Sequence, residues 1–188
     1  MNKLFIMNIL ATSLISIPAF ANHSFSLGYS QAKVDQSENL KGVQAQYRYS
    51  FNSPLSLIVS TSLLTSKDRE KYNDGHDDYE NDVKVRYISL MVGPEYRFNQ
   101  YISAYTTVGF ANTKLNGDQT WINSTGHIKD YKVSESKTNL AYGVGVVINP
   151  FEQLSVSLGH EVAKISTGTD YNGDVAVRGY SIGIGYRF

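Results

Sequence analysis

The chain of 188 residues carries 17 Lys+Arg against 17 Asp+Glu, so its formal charge is zero, and it contains no Cys. That balance excludes a nucleic-acid binder working through a basic face, and the missing thiols exclude disulfide frameworks, thiolate zinc sites and cysteine nucleophiles together. With 14 Tyr, 15 Gly, only 4 Pro and charged residues at 18%, the composition fits neither a disordered nor a helical chain.

In chain order, the first element is an export signal. Lys3 precedes a mostly apolar stretch over 4–17, and Ala19-Phe20-Ala21 puts small residues at the two positions flanking a signal-peptidase site. The stretch falls short of the ~20 residues that a spanning helix needs, and Pro18 interrupts it. Residues 1–21 therefore read as a cleavable signal peptide and 22–188 as the mature, single domain. No later segment is apolar for long enough to form a spanning helix, so any membrane crossing must be made by strands.

From there the apolar period is two. It begins at Phe25/Leu27/Tyr29 and Val43/Ala45/Tyr47/Tyr49, then Leu57/Val59/Thr61/Leu63 and Ile88/Leu90/Val92/Pro94/Tyr96/Phe98. It continues through Ile102/Ala104/Thr106/Val108/Phe110, Leu140/Tyr142/Val144/Val146/Ile148 and Leu154/Val156/Leu158/His160/Val162, and ends at Tyr180/Ile182/Ile184/Tyr186/Phe188. Such alternation is strand periodicity, giving eight predicted strands. The connections alternate in length: 31–40, 66–82, 112–136 and 166–174 are long, whereas 51–54, 99–100 and 149–153 are short. An even number of strands with that rhythm puts every long loop on one side and both termini with the tight turns on the other. The predicted fold is all-β, an eight-stranded antiparallel transmembrane β-barrel with both termini periplasmic and four long extracellular loops.

One face of the strands is Leu, Val, Ile, Tyr and Phe; the other is Gly, Ser and Ala with Arg48, Glu95, Arg97, Glu161 and Arg187. A soluble lipocalin-type barrel would turn the apolar set inward around a ligand. The charges on the other face suit a small filled lumen, and Tyr47, Tyr49, Tyr96, Phe98, Tyr186 and Phe188 near strand ends suit an interfacial aromatic girdle. Apolar-out is the expected arrangement.

Several fragments in this order carry a resemblance: Tyr47-Arg48-Tyr49, Gly93-Pro94-Glu95-Tyr96-Arg97, Ser136-Lys137-Thr138, Ala141-Tyr142-Gly143-Val144-Gly145, Asn149-Pro150 and Gly185-Tyr186-Arg187-Phe188. Together they resemble the Ail/Lom family, which includes OmpX-like and PagC-like eight-stranded barrels of enteric bacteria. The resemblance implies a cell-surface protein of the Gram-negative outer membrane, of the adhesion, invasion and serum-resistance type. It implies loops that bind extracellular-matrix proteins, heparin-like glycans or complement regulators, without catalysis. A monomer with no cofactor and no nucleic-acid partner is expected.

Glu95 and Glu161 invite a reading as a catalytic carboxylate pair. An eight-stranded barrel, however, encloses room only for its own side chains, so Arg48, Arg97 and Arg187 are expected to face these two carboxylates in a structural core, with Tyr87 and Tyr105 nearby. His23, His76, His127 and His160 show no close ligand spacing, which gives a metal site little support. In the loops, Lys67, Arg69 and Lys71 form a basic cluster, and Tyr72, Tyr79, Trp121, Ile122 and Tyr131 are apolar anchors for a protein partner. Trp121 and Ile122 equally suit packing against neighbouring loops. Lys114, Lys132, Lys137, Lys164 and Arg178 flank the loops at heights that match lipopolysaccharide phosphates. Besides adhesion, two readings stay open: a structural barrel whose loops protect the surface, and a barrel-rim enzyme.

Overall fold

The computed structural model describes residues 22–34, 39–73, 78–122, 128–165 and 175–188, with side chains apart from those at 68–73, 78–81, 118–122, 128–132, 165 and 175. The signal-like segment 1–21, His76 and His127 lie outside the described residues. The strands are β1 (His23–Val34), β2 (Asn39–Ser50), β3 (Leu55–Asn73), β4 (Asp78–Arg97), β5 (Ile102–Ile122), β6 (Ile128–Phe151), β7 (Leu154–Ile165) and β8 (Val175–Arg187). They form one closed antiparallel barrel in sequence order. The seam pairs β1 with β8 from Ser24↔Arg187 to Val34↔Val177, so the barrel wall has no free edge.

Alternation decides which face meets lipid. Leu27, Val43, Leu63, Leu90, Val108, Val144, Ile182 and Ile184 are exposed on the outside, while Ser26, Gln46, Ser60, Ser89, Ser103 and Ser157 are buried inside. In water this would be inverted; in a bilayer it is the arrangement that matches the solvent. Aromatics bound the band. Tyr96–Phe98 and Tyr186–Phe188 pack edge-on at 5.3 and 5.2 Å on the side of the tight turns, and Tyr29, Phe110, Tyr142 and Tyr180 are exposed towards the other side.

The turns follow from local chemistry. Asn99 Oδ1 accepts from the Tyr101 and Ile102 amides at 2.8 and 2.9 Å, which closes the turn between β4 and β5. The β4–β5 ladder skips Gly93 and Pro94, resuming at Glu95↔Tyr105; proline has no N–H to donate, and the ladder breaks where it stands. Inside, the Tyr105 ring occupies the space that a Cβ on Gly145 would need, so glycine on β6 makes room for a large side chain from β5.

Two of the predicted long loops are different in kind. β3 to β6 have 19, 20, 21 and 24 residues, whereas β1, β2, β7 and β8 have 12 or 13. Crossing a bilayer needs about 9–11 residues. The segments 66–73 with 78–82 and 112–122 with 128–136 therefore continue the strands beyond the membrane as a four-stranded sheet.

Because the wall is closed by main-chain hydrogen bonds, unheated protein in detergent gels is expected to migrate apart from the boiled protein. Identical migration of the two samples would count against the barrel.

Candidate functional site

The lumen is sealed by two polar clusters. Arg48 on β2 and Glu95 on β4, 6% and 1% exposed, form an ion pair at 3.1 Å. Arg48 Nη2 also donates to Ser24 Oγ on β1 at 3.1 Å and to Asn149 Oδ1 on β6 at 3.3 Å. Four strands thus converge on one guanidinium. The second cluster is built on Glu161 of β7, which accepts from the Tyr87 hydroxyl at 2.5 Å and from Ser62 Oγ at 3.2 Å. This corrects one expectation: Glu161 is satisfied by hydroxyls rather than by a guanidinium, because it and Arg48 stand at different heights. The void beside it, lined by Gln44, Ser60, Tyr105, Thr107 and Glu161, measures about 10 Å³, room for at most one water. Tyr87 and Tyr105 lie in the lumen as expected, and both are buried. The interior is a filled structural core.

The accessible features lie on the extracellular side. Above the outer aromatics, Lys33, Lys41, Lys67, Lys84, Arg86, Lys114, Lys164 and Arg178 are all exposed, and all share the parity of the lipid-facing residues on their strands. Lys33 stands opposite Arg178 across the β1–β8 seam, and Arg86 opposite Lys114 across β4–β5. Like charges placed directly opposite are unfavourable unless an anion or solvent screens them. Lys67 and Lys84, both about half exposed, share the largely buried Asp82 at 3.9 and 3.6 Å. Of the residues expected at this height, Lys114, Lys164 and Arg178 belong to the collar. Lys137 does not. It has the parity of Ala141 and Gly143, is half-buried, and stands opposite Thr113 on the inner side. Lys132 is paired at backbone level with Asp118, higher on the sheet. Lys33, Lys41, Lys84 and Arg86 were missed, although each extends its strand's outward alternation past the apolar run.

The sheet above the collar sets the remaining candidates in register. Tyr72 pairs with Tyr79, Tyr79 with Trp121, and Trp121 with Lys129, so three of the aromatic candidates share one backbone row across β3, β4 and β5. Ile122 pairs with Ile128, and Tyr131 with Gln119 two positions below the row. Lys71 faces Glu80 and Arg69 faces Asp82 at backbone level. β2 pairs with β3 only as far as Lys41↔Thr65, and the β6–β7 ladder starts at Ala141↔Ala163. Among the described residues, the sheet has an open edge along 66–73 of β3 and another along 128–140 of β6.

With this geometry in view, the comparisons place the chain. The sequence profile of the enterobacterial Ail/Lom protein family matches residues 3–188. The virulence membrane protein PagC of Salmonella typhimurium is 34% identical over 180 residues, covering 93% of this chain and 91% of the relative. The attachment invasion locus protein of Yersinia pseudotuberculosis is 30% identical over 197 residues, covering 100% and 98%. Among solved structures, Ail of Yersinia pestis in complex with the heparin analogue sucrose octasulfate superposes with a TM-score of 0.66 at 29% identity, covering 89% of this chain and 98% of that one. A closed eight-stranded barrel, an apolar outer band and a profile match along almost the whole length converge on one assignment: the chain belongs to the Ail/Lom family of Gram-negative outer-membrane proteins.

Proposed function

We propose that the protein is a non-catalytic adhesin that presents its extracellular sheet to host macromolecules. The observation that carries this reading is the four-stranded extension of β3–β6, which stands beyond the membrane on a sealed barrel. A barrel that conducts nothing has its accessible chemistry on that sheet and the collar below it. The sheet's open edges offer main-chain hydrogen bonds to an extended partner segment, and Tyr72, Tyr79, Trp121, Ile122 and Tyr131 are the anchors. Lys67, Arg69 and Lys71 steer acidic or sulfated partners. The heparin analogue bound by Ail of Yersinia pestis supports a sulfated glycan as one ligand class; matrix proteins and complement regulators are the protein partners in this reading. Lys114, Lys164 and Arg178, joined by Lys33, Lys41 and Arg86, contact lipopolysaccharide phosphates by charge-assisted hydrogen bonds, and Lys132 is a further candidate for such contact. Residues 1–21 act as the export signal.

Large apolar anchors contribute contact area, whereas rim charges act on encounter rate and salt dependence. Trp121→Ala is therefore expected to weaken binding at every ionic strength. Neutralising Lys67, Arg69 and Lys71 together should weaken it mainly at low salt, where screening is least. The measurement is binding of fibronectin, laminin, a complement regulator and heparin to cells with matched surface expression, across a salt series. If none binds above a barrel lacking 66–82 and 112–136, the adhesin reading falls and that of a protective structural barrel replaces it.

A further inference from the structure

The lumen holds a hydroxyl that its own side chains do not satisfy. Thr107 on β5 is 5% exposed, and among the described residues its Oγ1 is buried without a hydrogen-bond partner. Gln46 Nε2, Ser89 Oγ and Glu95 Oε2 are also buried and unpaired, but each has a polar neighbour in place. Gln46 stands beside the Tyr105 hydroxyl and Ser89 beside that of Tyr87, and Arg48 already holds the Glu95 carboxylate. Thr107 instead lines the void beside Glu161. Buried polar groups in folded interiors are paired, either with protein or with ordered water, because leaving one unpaired forfeits its hydration.

Register explains why the void exists. Thr107, Gly143 and Glu161 stand in one row across β5, β6 and β7. Gly143 keeps the middle of that row open: a Cβ there would lie 2.5 Å from Thr107 Oγ1 and 3.0 Å from the Met91 methyl. The space of about 10 Å³ at this gap is bounded by Gln44, Ser60, Tyr105, Thr107 and Glu161 as well as by Gly143. A water needs about one probe sphere of room and two to four polar partners, and the gap offers both.

The chemistry of the two flanking groups selects the occupant. Glu161 accepts one hydrogen bond from Tyr87 and one from Ser62, whereas an ionised carboxylate has roughly four acceptor positions. It has capacity for a further donor. The Thr107 O–H needs an acceptor. A metal cation can serve neither need, since it cannot accept a proton from a hydroxyl or donate one to a carboxylate. An apolar group in the gap would leave both groups as they are. Water does both at once, and nothing much larger fits.

We propose that this gap is a binding site for one structural water, which accepts the Thr107 hydroxyl proton and donates to Glu161. It ties β5 to β7 across the space that Gly143 leaves in β6, independently of what the extracellular sheet binds.

The test is a crystal structure of the protein refolded in detergent, with Thr107→Ser and Thr107→Val solved alongside. A single density peak within hydrogen-bond distance of Thr107 Oγ1 and of a Glu161 oxygen is expected in the wild type. Thr107→Ser, which keeps the hydroxyl, should retain the peak, and Thr107→Val should lose it. Oxygen-17 relaxation dispersion of the solvent, which counts long-lived internal waters in solution, should report one fewer for Thr107→Val than for the wild type. The proposal is overturned if the wild type shows no such peak, if the Thr107 hydroxyl donates to a protein oxygen instead, or if Thr107→Val keeps the peak and the water count. It also falls if the wild type resists urea better in sodium chloride than in choline chloride of equal ionic strength while Thr107→Val does not, which would make the occupant a cation.

Discussion

Glu95→Ala is expected to destabilise the folded barrel by about 3–5 kcal/mol, the range for removing one partner of a buried ion pair. The penalty arises from what stays behind. Arg48 is 6% exposed, and without Glu95 its guanidinium keeps only the neutral acceptors Ser24 Oγ and Asn149 Oδ1. Neither oxygen carries the charge that offsets desolvation of the cation. If this is the cause, replacing both charges with apolar side chains of similar volume, Arg48→Met with Glu95→Leu, should restore most of the loss, because no ion then has to leave water. Tyr87→Phe provides the contrast within the same lumen. It removes the hydroxyl that donates to Glu161, but Ser62 still donates to that carboxylate, so a smaller loss of about 1–3 kcal/mol is expected. Urea-induced unfolding of lipid-embedded protein, followed by the gel shift and by circular dichroism, measures all three. A loss below about 1 kcal/mol for Glu95→Ala would mean that the pair is solvated, as exposed pairs are, and that the lumen is wetter than its packing implies.

The lumen also shows how far the sequence could be read. Strand parity depends only on the alternation of side chains, and it places Arg48, Glu95, Arg97, Glu161 and Arg187 on one face. Parity fixes a face but not a height. Height follows from the register of neighbouring strands, which no single strand encodes, and so the hydroxyl partners of Glu161 were not foreseen. Lys137 is the reverse case. Its height near the outer boundary was plausible, yet its odd position on β6, in step with Ala141 and Gly143, already placed it on the inner face. The extensions at 66–73, 78–82, 112–122 and 128–136 looked like loops for a physical reason. Apolar alternation marks a strand only where one face meets lipid and the other the lumen. Beyond the membrane both faces meet water, the alternation fades, and the strand persists because its register is handed up from the barrel below. The same fading hid Lys33, Lys41, Lys84 and Arg86, which continue outward alternation with charge in place of hydrocarbon.

Val144→Arg tests that outer face inside the apolar band. Val144 is 53% exposed and stands on β6 between Thr106 of β5 and His160 of β7, inside the apolar band. It lies seven residues from Phe151, the last residue of β6. At about 3.3 Å per residue and a tilt of roughly 40°, that is some 15–20 Å from the periplasmic girdle. A guanidinium there cannot reach the periplasmic headgroups and approaches the outer girdle only by extending past Tyr142, two residues along β6, so its cost lies between the interfacial value and the midplane value of about 2–4 kcal/mol. Tyr186→Arg places the same side chain in the girdle beside Phe188, where the cost falls to about 0–1 kcal/mol. The expected result is a lower folding yield into lipid vesicles and a lower urea midpoint for Val144→Arg, with Tyr186→Arg close to wild type. The contrast separates depth from the general effect of adding a charge, since both positions are exposed and both gain the same group. Two variants that fold equally well would require that Val144 face water, and with it the whole row of residues sharing its parity.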